Sequence, residues 1–216
     1  MRRVCLALLP ILLLRAELAQ ADVLDRIAAT VDKRVITTSD IIRDLRVSAL
    51  LDGKPVDLSV AAKRAAATRL VDRILLLLEA STSHFDQPAG GDTACHVDPK
   101  VRYPTEPQFL AALAEYHLTE AELAAHLLDG QRACEFTDLR FGPEVQISEQ
   151  ELRDSYNTFA ADWPRSHPGQ PVPTFEDSRN QVEAFLMGQR ILEKLDAWLG
   201  MVRGERQIEY REAAFQ

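Results

Sequence analysis

"RIAATVDKRVITTSDIIRDL", residues 26–45, carries two short β-branched runs, a polar turn and a helix start in one continuous stretch. Ile27 to Val31 and Val35 to Thr37 have strand composition, because branched side chains suit a pleated surface. Asp32-Lys33-Arg34 joins them as a turn without glycine. Thr38 or Ser39 then offers a side-chain oxygen to the free N–H groups of a helix, with Asp40 well placed against the positive end of its dipole. Ile41, Ile42, Leu45 and Leu50 give that helix an apolar stripe, and Asp52-Gly53-Lys54-Pro55 ends it.

Beyond this stretch the chain reads as almost entirely helical. Over residues 58–81, Leu58, Ala61, Ala62 and Ala65, then Leu70, Val71, Ile74, Leu75 and Leu78, recur at three- to four-residue spacing. The run ILLLL at 74–78 is apolar on every face, the pattern of a helix buried in a core. From 82 to 107 the periodicity fails among Pro88, Gly90, Gly91, Pro99, Pro104 and Pro107, so a long loop is expected, of a length that tends to be functional or disordered. Thr105 caps a helix running to Tyr116, and Thr119 with Glu122 forms a capping box for the next, which extends toward Phe136 or Leu139. Ser148 with Glu151 repeats that device ahead of Leu152, Tyr156 and Phe159. "DWPRSHPGQPVPT", residues 162–174, is rich in proline and reads as an extended linker. A long helix follows from Phe175 to Val202, striped by Val182, Phe185, Leu186, Leu192, Leu195 and Leu199, with Gly204 ending it. Gln207 to Tyr210 alternates like an edge strand.

At the start of the chain, Arg2 and Arg3 precede the apolar run VCLALLPILLL at 4–14, and Ala19-Gln20-Ala21 supplies a small-x-small cleavage site. That run falls short of the roughly 20 residues that span a bilayer. It reads as a signal peptide over residues 1–21, cleaved after Ala21 to release a soluble mature chain from Asp22 to Gln216. The whole chain carries a net charge of −8, and loss of the leader's arginines makes it more acidic. Such a balance argues against nucleic acid and anionic lipid as partners, since both demand excess Lys and Arg. Cys5 leaves with the signal, and Cys95 and Cys134 remain in a compartment that permits disulfides. Pairing would contribute about 3–4 kcal/mol by loop closure; two free thiols are the alternative.

Chemistry-bearing motifs are sparse. G-x-S-x-G, a glycine-rich phosphate loop and H-E-x-x-H are all missing from the sequence. Cys95-His96 with Asp98 lacks the second ligand pair that a metal site requires, and His84 does not supply it. His117 and His126 read as surface or half-buried residues on helices. Glu120, Glu122, Glu149 and Glu151 are helix-start carboxylates that the dipole explains. No enzyme activity, cofactor, metal or small-molecule substrate is expected.

Three segments carry a family resemblance. "DRIAATVDKRVITTSDI", "TRLVDRILLLLEA" and "FLAALAEYHLTEAEL" resemble the N-terminal module of SurA-like periplasmic chaperones. "RFGPEVQISEQELRDSYN" is similar to that module's exit into a parvulin-type prolyl isomerase domain, and "TFEDSRNQVEAFLMGQRILEKLDAWLGMVRGERQIEY" to the helix and strand that return to it. The departure is the isomerase itself. Only residues 157–174 separate Tyr156 from Phe175, whereas such a domain needs on the order of 100 residues. The resemblance therefore implies a signal at 1–21, a chaperone module at 22–161, a proline-rich linker at 162–174 where the isomerase is missing, and a completing helix and strand at 175–216.

It further implies a mostly α, SurA- and trigger-factor-like core. In it Ile208-Glu209-Tyr210 adds a strand to the N-terminal hairpin, the long helix packs on residues 74–78, and the helices between form a lobe bounding a groove. The function implied is a periplasmic holdase that binds unfolded or outer-membrane-bound polypeptides without catalysis. A dedicated assembly subunit for one folded envelope partner is the alternative. Phe109, Tyr116, Phe136 and Phe141 are the candidates to line the groove, though each reads more simply as a core residue.

Overall fold

The computed structural model describes residues 25–85 and 95–216. The expected signal peptide lies outside the described residues, as do Pro88, Gly90 and Gly91 of the expected loop. The elements run β1 (Ile27–Val31), β2 (Arg34–Thr37), α1 (Thr38–Asp52), α2 (Val60–Thr82), α3 (Glu106–Glu115), α4 (Glu120–Phe141), α5 (Glu149–Ser166), α6 (Phe175–Glu205) and β3 (Ile208–Tyr210), with short 3-10 turns between. The fold is mostly helical with one small antiparallel sheet. Among the described residues no helix is long and apolar enough to cross a membrane.

The sheet has the order β2-β1-β3, so the first strand of the fold lies between its neighbour in sequence and the last. Val31 pairs with Arg34 across a two-residue turn, shorter than the three-residue turn expected. Asp32 takes the left-handed conformation at φ 52°, which Asp tolerates better than most residues, and this replaces the absent glycine. The same residue grips the returning chain. Its N–H donates to the Gln207 carbonyl at 2.8 Å, and its carboxylate accepts from the Gln207 N–H and from Arg206, each at 3.1 Å. β3 then pairs Ile208 with Val31 and Tyr210 with Ala29.

Thr37, one residue earlier than expected, caps α1. Thr38 is already committed, because its N–H donates to the Arg26 carbonyl at 2.8 Å. Thr37 Oγ1 accepts from the Asp40 N–H, and the Asp40 carboxylate accepts from the Thr37 N–H at 2.9 Å, a reciprocal box. Gly53 ends the helix at φ 64°, a conformation that costs glycine little, and Arg102 packs so closely over it that a Cβ would meet the guanidinium at 2.5 Å.

Two apolar clusters hold the molecule together. The larger joins Val31 and Ile36 of the hairpin, Val71, Leu75 and Leu76 of α2, Phe136 and Phe141 of α4, and Ile191, Trp198 and Leu199 of α6. Phe215, beyond β3, is fully buried in the same cluster. The smaller packs Val47 and Leu50 of α1 against Ala112, Leu113, Tyr116, Leu118 and Leu123. Full burial of each large side chain contributes about 1.5–3 kcal/mol. α6 reaches the larger cluster from Met187 onward, so the helix splits into a packed part and an earlier part that faces α5.

Three boundaries differ from the sequence reading. α4 runs on to Phe141, because its apolar positions continue as far as Gly142-Pro143. α6 passes through Gly204, and ends where Arg206 turns extended to enter β3. α5 continues to Ser166, so residues 162–166 are helix and the linker shrinks to 167–174. Pro164 lacks the N–H that would bond the carbonyl four residues back, a disruption confined to the last turn because only two helical residues follow it, and the His167 N–H closes the helix on the Trp163 carbonyl at 2.8 Å.

Candidate functional site: a cleft between two helices

The structure separates the four aromatic residues expected to share a groove. Phe136 and Phe141 are buried in the larger cluster, where Phe136 meets the Phe85 ring at 5.7 Å and Phe141 meets Trp198 at 6.2 Å. Tyr116 is buried in the smaller cluster and donates its phenol to the Lys54 carbonyl at 3.0 Å, with Phe109 half-buried beside it. These positions are occupied by core packing, because each side chain faces the helix stripe of a neighbour.

A cleft lies elsewhere among the described residues. It has a volume of about 690 Å³ and opens between α5 and the first half of α6. On α5 it is lined by Glu151, Asp154, Ser155, Thr158, Phe159, Asp162 and Trp163, and on α6 by Val182, Phe185, Leu186, Gln189 and Arg190. Both sets recur at three- and four-residue spacing, so each is one face of its helix. Leu152, Ser178 and Val182 are buried where the helices meet. Leu152 is the only buried residue of α5, while Phe185 is 58% exposed. A recess of this size, apolar with a few polar groups, suits side chains of a ligand or peptide.

Aromatic rings stiffen one wall. Phe159 lies 5.3 Å from Trp163, and Trp163 stacks on the His167 ring at 3.7 Å with an interplanar angle of 10°. Outside the cleft's lining, Phe175 lies edge-on to Tyr156 at 5.4 Å, with Arg153 and Arg179 at 4.6 and 5.6 Å from its ring. The Tyr156 hydroxyl donates to the Pro173 carbonyl at 2.9 Å and ties the proline-rich connection down. Trp163 Nε1 and Ser178 Oγ are buried without a hydrogen-bond partner. Both groups lie on the α5–α6 pair, the arm of the fold.

Capping and ion pairs set the charges. Glu151 is held near pKa 2 by the Ser148 hydroxyl and N–H, then by Arg190. Arg190 lies 3.0 Å from Glu151 and 2.9 Å from Glu193. The Phe159–Trp163 spacing and the Phe185–Leu186 pair were legible as apolar periodicity, but reading 162–174 as linker removed Trp163 from any helix face.

A second recess, of about 430 Å³, is lined in part by Arg73 and His126, two members of a charge cluster around buried Asp44. Asp44, 1% exposed, accepts from Arg69 at 2.6 Å and lies 3.8 Å from both Arg73 and His126. Arg73 Nη1 is 3.3 Å from both ring nitrogens of His126, which places the guanidinium over the imidazole face. Burial, then the Arg73 charge, lower the His126 pKa to about 4, so the ring is neutral at pH 7. The arrangement ties α1, α2 and α4 together.

Cys95 and Cys134 form a disulfide, with Cα atoms 5.7 Å apart, that fastens the segment before α3 to α4. Asp138 lies 3.5 Å from Cys95 Sγ, its pKa raised by burial and then by Glu135. Disulfide sulfurs are not thiolate ligands, so this group of three does not make a metal site. Asp98 accepts instead from the Lys100 N–H at 2.9 Å. No protein-family model matches the chain, and no curated protein matches it.

Proposed function

We propose that this chain is a holdase-type chaperone that binds unfolded polypeptides, outer-membrane proteins among them, in the periplasm and without catalysis. The observation that carries this reading is the α5–α6 cleft, in which Phe159, Trp163, Phe185 and Leu186 form an apolar recess left open to solvent. The resemblance to SurA-like modules supports the reading, since hairpin, helices and returning strand come in the order that it implies, with β3 seated on β1. Other exposed apolar residues, such as Leu110 of α3, Leu128 and Leu139 of α4 and Met201 of α6, are scattered over three helices. That distribution favours a recess for extended clients over one flat docking face for a single folded partner.

Light scattering of a chemically unfolded outer-membrane protein, diluted with and without this protein, tests the proposal. Native protein is expected to suppress aggregation, and Phe159→Ala with Phe185→Ala to weaken suppression while circular dichroism is unchanged. Absence of suppression at several-fold molar excess overturns it in favour of a single-partner assembly subunit.

A further inference from the structure

The walls of the cleft are apolar, but its rim is negative. Glu151, Asp154 and Asp162 line it, and the only guanidinium that does so, Arg190, is held between Glu151 and Glu193. Asp154 accepts from the Gln150 amide at 2.9 Å, a neutral donor that leaves its charge uncompensated. Asp162 pairs with Arg165, whose side chain is 80% exposed. A surface pair of this kind contributes about 0–1 kcal/mol and exchanges readily for another cation.

We propose that the cleft selects polypeptide segments that carry lysine or arginine beside their apolar side chains. This rests on the polypeptide-binding reading above and specifies the chemistry of its ligand. Asp154 and Asp162 stand on one face of α5, at a separation of about 12 Å by helical rise. An extended chain advances about 3.3 Å per residue, so two cations three or four residues apart reach both carboxylates. Apolar residues between them then drop toward Phe159, Trp163 and Phe185. The aromatic faces add an attraction of their own for cations, and at the base of the arm two guanidinium groups already lie against the Phe175 ring. The same negative rim disfavours an anionic lipid surface and a second copy of this acidic arm, both of which it would repel.

The test is fluorescence anisotropy on the whole protein with three labelled peptides that share one apolar core. One carries two lysines four residues apart, one two glutamates, one two serines. The lysine peptide is expected to bind about tenfold more tightly than the glutamate peptide at low salt, with the gap closing near 0.5 M salt as charges are screened. Asp154→Asn with Asp162→Asn is expected to bring the lysine peptide to the affinity of the serine peptide. Equal binding of all three peptides overturns the charge selection and leaves polypeptide binding standing. A lysine preference that survives the double substitution moves the selection out of this cleft and overturns it as well. Suppression of aggregation without binding of any peptide removes the cleft as the site. Failure of both peptide binding and aggregation suppression removes the chaperone reading with it.

Discussion

The C-terminal half of α6 and its N-terminal half carry the same apolar stripe but meet different surroundings. Trp198 and Leu199 are buried against α2 and α4, whereas Phe185, in the half that faces α5, is 58% exposed. One stretch of periodicity thus makes a core at one end and an open wall at the other. Periodicity tells which face is apolar; only the topology tells whether anything covers it. The contrast extends to polar groups. At the packed end Asp32 and Asp44 have well-placed partners, while the arm leaves Trp163 Nε1 and Ser178 Oγ unmatched.

The sharpest way to break the packed end is Phe215→Ala, which empties a fully buried site between the sheet and α2. It is expected to cost about 3–5 kcal/mol, read as a lower midpoint in urea unfolding. Removing the disulfide by Cys95→Ala with Cys134→Ala releases a loop with a sequence separation of 39 and is expected to cost about 2–4 kcal/mol in the same measurement.

Acid probes the buried cluster. His126 has a folded pKa of about 4 against an ordinary value of 6.5, so the unfolded chain binds the extra proton first. Stability is therefore full above pH 6.5 and falls as pH drops through 4, by about 2–3 kcal/mol from this group. His126→Gln should flatten that part of the unfolding profile between pH 6.5 and 4, and an unchanged slope would assign the loss to other groups.

The smallest expected effect on stability lies in the arm. Phe185→Ala should move the unfolding midpoint by no more than about 0.5 kcal/mol, because little packing is lost at an exposed site. The same change should clearly weaken capture of unfolded protein. A large loss of stability there would erase the distinction between the two halves of α6.

Much of the packed end was legible in the sequence. The capping boxes at Thr119 and Ser148 begin α4 and α5 as read, and the all-apolar run at 74–78 lies at the centre of the larger cluster. These signals are local: a hydroxyl and a carboxylate three residues apart, or a stripe at helical spacing. The cleft was not legible, for two reasons. Pro164 and its neighbouring prolines suggested an extended linker, although α5 carries Pro164 in its last turn, where only two helical residues follow. The aromatic candidates were chosen by residue type, and Phe136, Phe141 and Tyr116 were drawn into cores by partners distant in sequence. Which apolar face lacks a cover depends on how the chain is routed, and spacing carries no record of that.

The central position of β1 has a consequence for how the molecule is completed. Its two neighbours come from opposite ends of the described chain, with Val31 paired both to Arg34 and to Ile208. A ribosome delivers β2 within a few residues of β1 but must produce α1 to α6 before β3 exists. Throughout that interval one edge of the sheet stands bare and the seat of Phe215 is vacant. Closing so long a loop is entropically costly and comes late in folding. Native closure therefore waits until β3 has been made, and until then the nascent chain remains threadable.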